Sequence, residues 1–404
     1  MLNWARQFNI FCFLDNQQYT QAPHRYECLL AVGATEWVQA ATHRLQEVDL
    51  LADGQSWVFG HLSYEANHAG LGITSNKKDP VGFPLFYFFQ PATVLYIRDG
   101  QLHIEGSNPY GVFKELMQTP ETISAASFHI HLQQRLSRQQ YIHTIGQLQQ
   151  HLLRGDCYEI NFCQEFFADD AVVDPFAVFH NLVQLSPNPF SALYRLNDQY
   201  LVCASPERFL FKEGQRMVSQ PIKGTAARSA DAAQDQQLKE ALQRSQKEKA
   251  ENVMVVDLVR NDLSKICRQG SVQVDELYGI YSFPHVHQMI STISGELKPD
   301  ISFSHIIKAT FPMGSMTGAP KHRVMQLIEA YEPTCRGLFS GSVGYIAPNG
   351  DFDFNVVIRS ILYNAASRYL SYQAGSGITF YSDAEKEWEE CLLKGAAIKK
   401  VLTT

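Results

Sequence analysis

The sequence predicts an α+β fold. Three observations lead there. Strand-like segments outnumber helix-like ones, and the two kinds do not alternate strictly, as a doubly wound parallel sheet would require. The 404 residues are 45% hydrophobic and 19% charged, which is ample for a large core in an ordinary globular chain.

Residues 1 to about 125 read as an N-terminal region of strands and loops. Phe83 to Ile97 is aromatic and β-branched, and Pro84 and Pro91 interrupt it, which suits strands near sheet edges. A helix opens at Ser137. Ser137 and Gln140 have capping-box spacing, Ile142, Ile145, Leu148 and Leu152 recur at helical spacing, and Gly155 suits a C-terminal cap. A strand-like run follows at 157–162, with others at 199–204, 208–212, 341–346, 352–362 and 369–380. Helix-like segments lie at about 175–184, 235–255, 320–330 and 383–402. No internal repeat or low-complexity linker is visible. The densest motifs fall between 150 and 400, which places the functional unit there.

The bulk properties exclude several classes. The formal net charge is −7 with no basic tract, so DNA and RNA are poor partners. The eight cysteines form no CxxC pair, which argues against a zinc ribbon or a disulfide framework. Met1 to Gln7 lacks signal-peptide character, and no uncharged apolar stretch of about 18 residues could span a bilayer. A cytosolic, reduced protein without membrane contact is expected.

Several constellations can carry chemistry. Glu248 and Glu251 are three apart and share a helix face; Glu387 and Glu390 repeat the spacing, with Lys394 one turn further on. Carboxylates from two helices can converge on Mg²⁺, a hard cation with oxygen ligands, although two solvated helix faces would show the same spacing. In Pro221-Ile222-Lys223-Gly224-Thr225, glycine admits close approach to the backbone and Thr225 offers a hydroxyl. A partly desolvated lysine there can be neutral enough to act as a nucleophile, while an exposed turn lysine is the plainer reading. Glu207, in Ser205-Pro206-Glu207-Arg208, is either a general acid with a raised pKa or half of a surface Glu–Arg pair. Gly314 to Lys321 is glycine-rich, and Pro320 suits a first helical turn whose amides face an anion; a structural loop is the alternative. Gly375 and Gly377 could offer amides to a carboxylate, or merely make a tight strand. Arg359, in a strand-like run, would be an unusual buried cation unless it holds an anion. Together these describe a site for a small, doubly carboxylated, magnesium-bound substrate.

In their order and register, these runs resemble the chorismate-utilising enzymes. The resemblance rests on 155–161, Ser205-Pro206-Glu207, 221–225, 250–263, 313–321, 336–341, Ile358-Arg359 and 374–390, and covers about 130 to 400. It implies two β-sheets packed as a sandwich with helices outside, an N-terminal region (1–125) integrated with that body, and a chorismate-binding catalytic domain over 130–404. By position, it makes Glu251 and Glu390 the Mg²⁺ ligands, with Glu248 and Glu387 acting through water. Gly224, Thr225, Gly375, Gly377, Arg359 and Lys394 become contacts to the substrate's carboxylates, and Glu207 the acid that protonates the departing C4 hydroxyl.

Lys223 selects the branch. Enzymes that aminate chorismate at C2 to make anthranilate have a small residue there, and those that aminate at C4 commonly have lysine. The resemblance therefore implies that neutral Lys223 adds to C2 while the C4 hydroxyl leaves, and that ammonia then takes C4. The product, 4-amino-4-deoxychorismate, belongs to 4-aminobenzoate and folate formation; anthranilate synthase component I is the alternative. Three departures stand out. Gln288 occupies a position that is usually His, which leaves His287 as a possible substitute. Phe339 replaces a common tyrosine. Phe13-Leu14-Asp15-Asn16 differs from the pattern of tryptophan-inhibited relatives. None of the eight cysteines is flanked by glycine, as a glutaminase elbow requires, so a separate glutamine amidotransferase subunit is expected to supply ammonia.

Overall fold

The computed structural model describes all residues except 20–23, 121–125 and 284–285; the boundary expected near 125 falls at the second gap, outside the described residues. Among the described residues, an eleven-stranded sheet and a ten-stranded sheet account for the strands, and each strand pairs antiparallel to its neighbours. With helices on the outside, this is the expected α+β architecture.

Side-chain alternation builds the layers. In Ile10–Asp15, Cys12 faces the smaller sheet, whereas Phe11 and Phe13 face the helices. In Cys28–Val32, Leu29 and Ala31 point inward, and Leu30 and Val32 point outward. The inner layer joins these to Phe59, Phe88, Phe209 and Met217 of the smaller sheet. The outer layer packs the helices Arg138–Leu153, Pro175–Leu185 and Ala384–Thr403 onto the larger sheet through Tyr141, Phe176, Trp388 and Leu402. Each large apolar side chain buried this way contributes about 1.5–3 kcal/mol.

The first 106 residues contribute to both sheets. Ile10–Asp15, Cys28–Val32, Thr93–Arg98 and Gln101–Gly106 lie in the larger, and Glu36–Gln39, Val58–Leu62 and Phe86–Gln90 in the smaller. Pro84 and Pro91 sit just outside strands, where their missing N–H costs no ladder bond.

Most elements lie where sequence places them, with three differences. The helix expected over 235–255 is two helices, Ala232–Arg244 and Gln246–Ile266, because Ser245 turns extended and caps the second. The strand expected over 352–362 is broken into Phe352–Asn355 and Ser360–Asn364, with Arg359 at φ +52 between them. The strand expected at 157–162 runs instead from Glu159 to Ala168.

At the open end of the larger sheet, Glu159–Ala168 pairs with Tyr369–Ile378 and with the short Gly318–Ala319. At the corresponding end of the smaller sheet, Ile222–Ala227 pairs with Val286–Glu296. The side chains of interest gather between these two ends.

The Ser137 cap is complete: its hydroxyl accepts from the Gln140 amide at 3.3 Å, and the Gln140 side chain accepts from the Ser137 amide at 2.9 Å. Gly155 follows in the left-handed region at φ +79 and closes the helix. Ser137→Ala is expected to lower unfolding stability by about 1 kcal/mol, read as a lower urea midpoint with an unchanged slope.

Candidate active site

The acidic helix faces do converge. Ser245 caps Gln246–Ile266 by accepting from the Glu248 amide at 3.3 Å, which sets Glu248 in the first turn and Glu251 one turn later. Asp383 caps Ala384–Thr403, which carries Glu387 and Glu390. One ammonium senses all four carboxylates. Lys247 Nζ lies 3.7 Å from Glu251 Oε1 and 3.6 Å from Glu387 Oε1. Burial pulls its pKa down, but Glu251, Glu387, Glu248 and Glu390 together turn the shift upward.

The carboxylates themselves are strained by desolvation. Burial pushes Glu251 up to about 7 and Glu248 upward. Glu390 shifts the other way, because Lys394, 2.6 Å from its Oε1, together with Lys247 and Lys223 outweighs burial. Glu251 Oε1 and Glu387 Oε2 are buried without a hydrogen-bond partner. Orphaned carboxylate oxygens on two facing helices are the donor set a hard divalent cation takes, so these residues fit Mg²⁺ chemically. Among the described residues, no three acidic, His or Cys side chains are already drawn together as a closed metal shell.

Lys223 crosses from the edge of the smaller sheet to the larger one, where its Nζ donates to Glu159 Oε1 at 2.5 Å. Glu159 is buried and the Lys223 side chain is 11% exposed, and the second oxygen of Glu159 has no partner among the described residues. Burial alone would lower the lysine's pKa. Glu159, Glu251 and Glu390 overturn that and raise it well above its ordinary value. That direction favours the ammonium over the neutral amine at rest. The reason is tertiary: the opposing charges come from a strand and two helices remote in sequence.

The three glycines around this pair differ in kind. Gly224 holds φ +92, and a Cβ there would meet Glu248. At Gly377 a Cβ would sit 2.7 Å from Glu159 Oε1 and 2.8 Å from Lys223 Nζ, so this glycine makes room for the ion pair. At Gly375 a Cβ would lie 2.0 Å from the Phe162 carbonyl and 2.6 Å from both Cα and Sγ of Cys163, a mainly backbone constraint between paired strands.

Glu207 stands in the turn joining Gln199–Ser205 to Arg208–Glu213, with its amide donating to Ser205 Oγ at 3.1 Å. Burial pushes its carboxyl up to about 7 against the opposing pull of Ser315 and Lys223. Arg208 forms two 2.9 Å bonds with Asp353, and both it and Glu207 are buried, so this is not a surface Glu–Arg pair.

Arg359 donates to the Lys394 carbonyl at 2.5 Å. Among the described residues no carboxylate lies within ion-pair distance of it. Burial draws its pKa down to about 10, with only Glu390 opposing. A half-buried guanidinium with no carboxylate in contact among the described residues suits an anionic ligand. Lys394 Nζ donates to the Gly375 carbonyl at 2.9 Å. Thr225 is exposed and lies opposite Gln288 across the strand pair.

His287 does not stand in for Gln288. The two side chains alternate across the strand, and the His287 ring is fixed between Ser282 Oγ at 2.8 Å and Asp235 Oδ1 at 3.1 Å. Gln288 Oε1 is buried and unpartnered. Phe339 lies in the apolar core. Leu14, Asp15 and Asn16 line a separate cavity with Phe190, Asp353 and Asn355.

The glycine-rich loop is structural. Pro320 caps a helix that begins at Lys321, one residue later than expected, and Gly318–Ala319 pairs with Glu159 and Ile160. The Thr317 and Ala319 carbonyls accept from the Asn161 and Tyr158 amides at 2.8 and 2.7 Å. Lys321 is occupied by Asp262 and the Thr310 carbonyl. The residue that secures this loop escaped sequence reasoning. Arg336 donates to the Met316 carbonyl at 2.6 Å, to the Asn161 carbonyl at 2.8 Å, and to both oxygens of Glu332 at 2.9 and 2.6 Å. Glu159 escaped it too. Its only signal was a charged residue opening a strand that is buried throughout.

Comparison with known proteins matches this arrangement to one family. A family model described as chorismate binding enzyme matches residues 11–400. An anthranilate synthase component I-like protein of Synechocystis sp. is 33% identical over 350 residues, covering 85% of this chain and 72% of that protein. Aminodeoxychorismate synthase component 1 of Escherichia coli is 38% identical over 270 residues, covering 67% of this chain and 59% of the relative. Its Bacillus subtilis namesake is 36% identical over 258 residues, 64% and 54% respectively, so the chain spans little more than half of these two. The crystal structure of anthranilate synthase component I from Streptococcus pneumoniae superposes with a TM-score of 0.81 at 23% identity, covering 94% of this chain and 93% of that one, which bears on fold alone.

The two strand glycines predict opposite phenotypes. Gly375→Ala must move backbone and should cost several kcal/mol, read as a clear fall in melting temperature. Gly377→Ala meets only side-chain ends, and should retain the melting temperature while displacing the Lys223–Glu159 pair and cutting turnover.

Proposed function

The chain belongs to the chorismate-binding enzymes, and from that premise we propose that it is component I of an aminodeoxychorismate synthase, aminating chorismate at C4 to give 4-amino-4-deoxychorismate. The observation that carries this reading is Lys223, held between the two sheets within reach of one carboxylate, Glu159, and electrostatically coupled to a second, Glu207. An amine there can occupy C2, the position at which ammonia would otherwise add to give anthranilate.

In this reading Lys223 Nζ bonds to C2 and the ring double bonds shift. The C4–O bond breaks, and Glu207 gives its proton to the departing oxygen, which leaves as water. A carboxyl whose pKa is about 7 still holds that proton at neutral pH. Ammonia then bonds to C4, the C2–N bond breaks, and the lysine is released. Arg359, Lys394, Thr225 and the backbone at Gly224, Gly375 and Gly377 would hold the substrate's carboxylates. Glu251 and Glu390, with Glu248 and Glu387 through water, would hold Mg²⁺, which supplies positive charge for a substrate carboxylate. Ammonia would come from a glutamine amidotransferase subunit, since no cysteine here has the glycine-flanked setting of a glutaminase nucleophile. A cytosolic setting suits eight cysteines that are all free. Among the described residues, no helix is long and apolar enough to cross a membrane.

The test is incubation with chorismate, Mg²⁺ and ammonium, with mass analysis of product and protein. The expected product is 4-amino-4-deoxychorismate, with chelation abolishing turnover and glutamine failing to replace ammonium for the chain alone. Anthranilate as the product would overturn the C4 assignment. Glu207 makes a signed prediction as well. The active form is protonated, so kcat/KM should fall as pH rises through about 7. Glu207→Gln should lower kcat by about 10²–10⁴-fold and abolish that limb.

A further inference from the structure

We infer that Glu159 is the proton acceptor that converts Lys223 from a stored ammonium into a nucleophilic amine. The inference rests on the C4 reading above, because it concerns how that lysine becomes reactive.

Geometry carries it. Glu159 Oε1 is the hydrogen-bond acceptor of Lys223 Nζ, at 2.5 Å, and the pair bridges the facing ends of the two sheets. Glu159 is 2% exposed, its other oxygen is buried with no donor, and Gly377 leaves the space the pair needs. A carboxylate in that position has one partner and no route to water of its own. Moving the proton from Nζ to Oε1 neutralises both groups at once, which low-dielectric surroundings tolerate better than either charge alone.

Other charged groups reach the pair from every side. Glu251 and Glu390 face Lys223 from the two helices, and Lys223 and Lys394 act in turn on Glu207. These surrounding carboxylates favour the ammonium at rest, so the lysine needs an acceptor in contact with it when it reacts.

The proton count closes. Glu159 takes one proton from the Lys223 ammonium, the freed electron pair forms the N–C2 bond, and the C4 oxygen departs as water with the proton from Glu207. When ammonia bonds to C4 and the C2–N bond breaks, the pair returns to Nζ and Glu159 gives its proton back. The proton lost by the new C4 ammonium restores Glu207.

The pH dependence of single-turnover C4 amination tests this with Mg²⁺, ammonia held constant as free base, and wild type beside Glu159→Gln. While the proton stays within the pair, the wild-type rate on the acid side should be flat from about pH 5.5 to 7. In Glu159→Gln the proton must leave to solvent, so the rate should fall about tenfold per pH unit over the same range. A flat Glu159→Gln profile at the wild-type rate would overturn the inference. A second readout needs no turnover: the pH dependence of reductive methylation of Lys223, followed by peptide mass analysis. Its midpoint should drop in Glu159→Gln, and an unmoved midpoint would also overturn the inference. Failure of the wild type to make the 4-amino product in the same assay would overturn the C4 reading instead.

Discussion

The Arg336 guanidinium is the interaction on which the site's geometry depends. It is buried, and its donors are spent on Glu332, the Met316 and Asn161 carbonyls and, more weakly, Ser340. Glu332 in turn accepts from the Cys163 amide at 2.8 Å. One side chain thus ties a helix end, the glycine-rich loop and the strand that carries Glu159. A buried ion pair of this kind is expensive to break, since removing one member leaves an uncompensated charge costing about 3–5 kcal/mol. Its worth here is positional: it holds the loop against an edge strand whose ladder would otherwise be open.

With that edge secured, the ends of the two sheets face each other across a narrow interior. Like and unlike charges are packed there at a density that water would normally dilute. Six carboxylates, on Glu159, Glu207, Glu248, Glu251, Glu387 and Glu390, share the space with Lys223, Lys247, Lys394 and Arg359. Desolvation sets the direction for Glu207, Glu248 and Glu251, whereas a close lysine reverses it for Glu390. Carboxyls of one chemical type are thereby shifted in opposite directions within one interior, upward where burial dominates and downward where a lysine lies close.

Much of this was legible in the sequence. The Ser137 cap, most of the strand-like runs and the acidic spacing on two helices are local signals, and each reports local physics. The breaks were not legible. Helical periodicity continues through Ser245, and β-branched composition continues through Arg359, so only the fold reveals that the chain turns there. The charged surroundings of Lys223 were illegible for a different reason. A lysine's neighbours in sequence say nothing about Glu159, 64 residues away on the other sheet. Arg336 was quoted as part of a motif, but its role belongs to carbonyls that no pattern of residue types displays.

The bridge between Lys223 and Glu159 also has a consequence for how the protein matures. Its two halves lie on different sheets, and Gly377 joins Glu159's strand from more than two hundred residues further along the chain. Contacts of such separation form late, after the loop entropy between them has been overcome. Until the sheets dock, the lysine is an ordinary solvated side chain without Glu159 as its hydrogen-bond acceptor. The ion pair is thus absent from every form in which the two strands have not yet met, and it is completed only when the strand carrying Gly377 is in place.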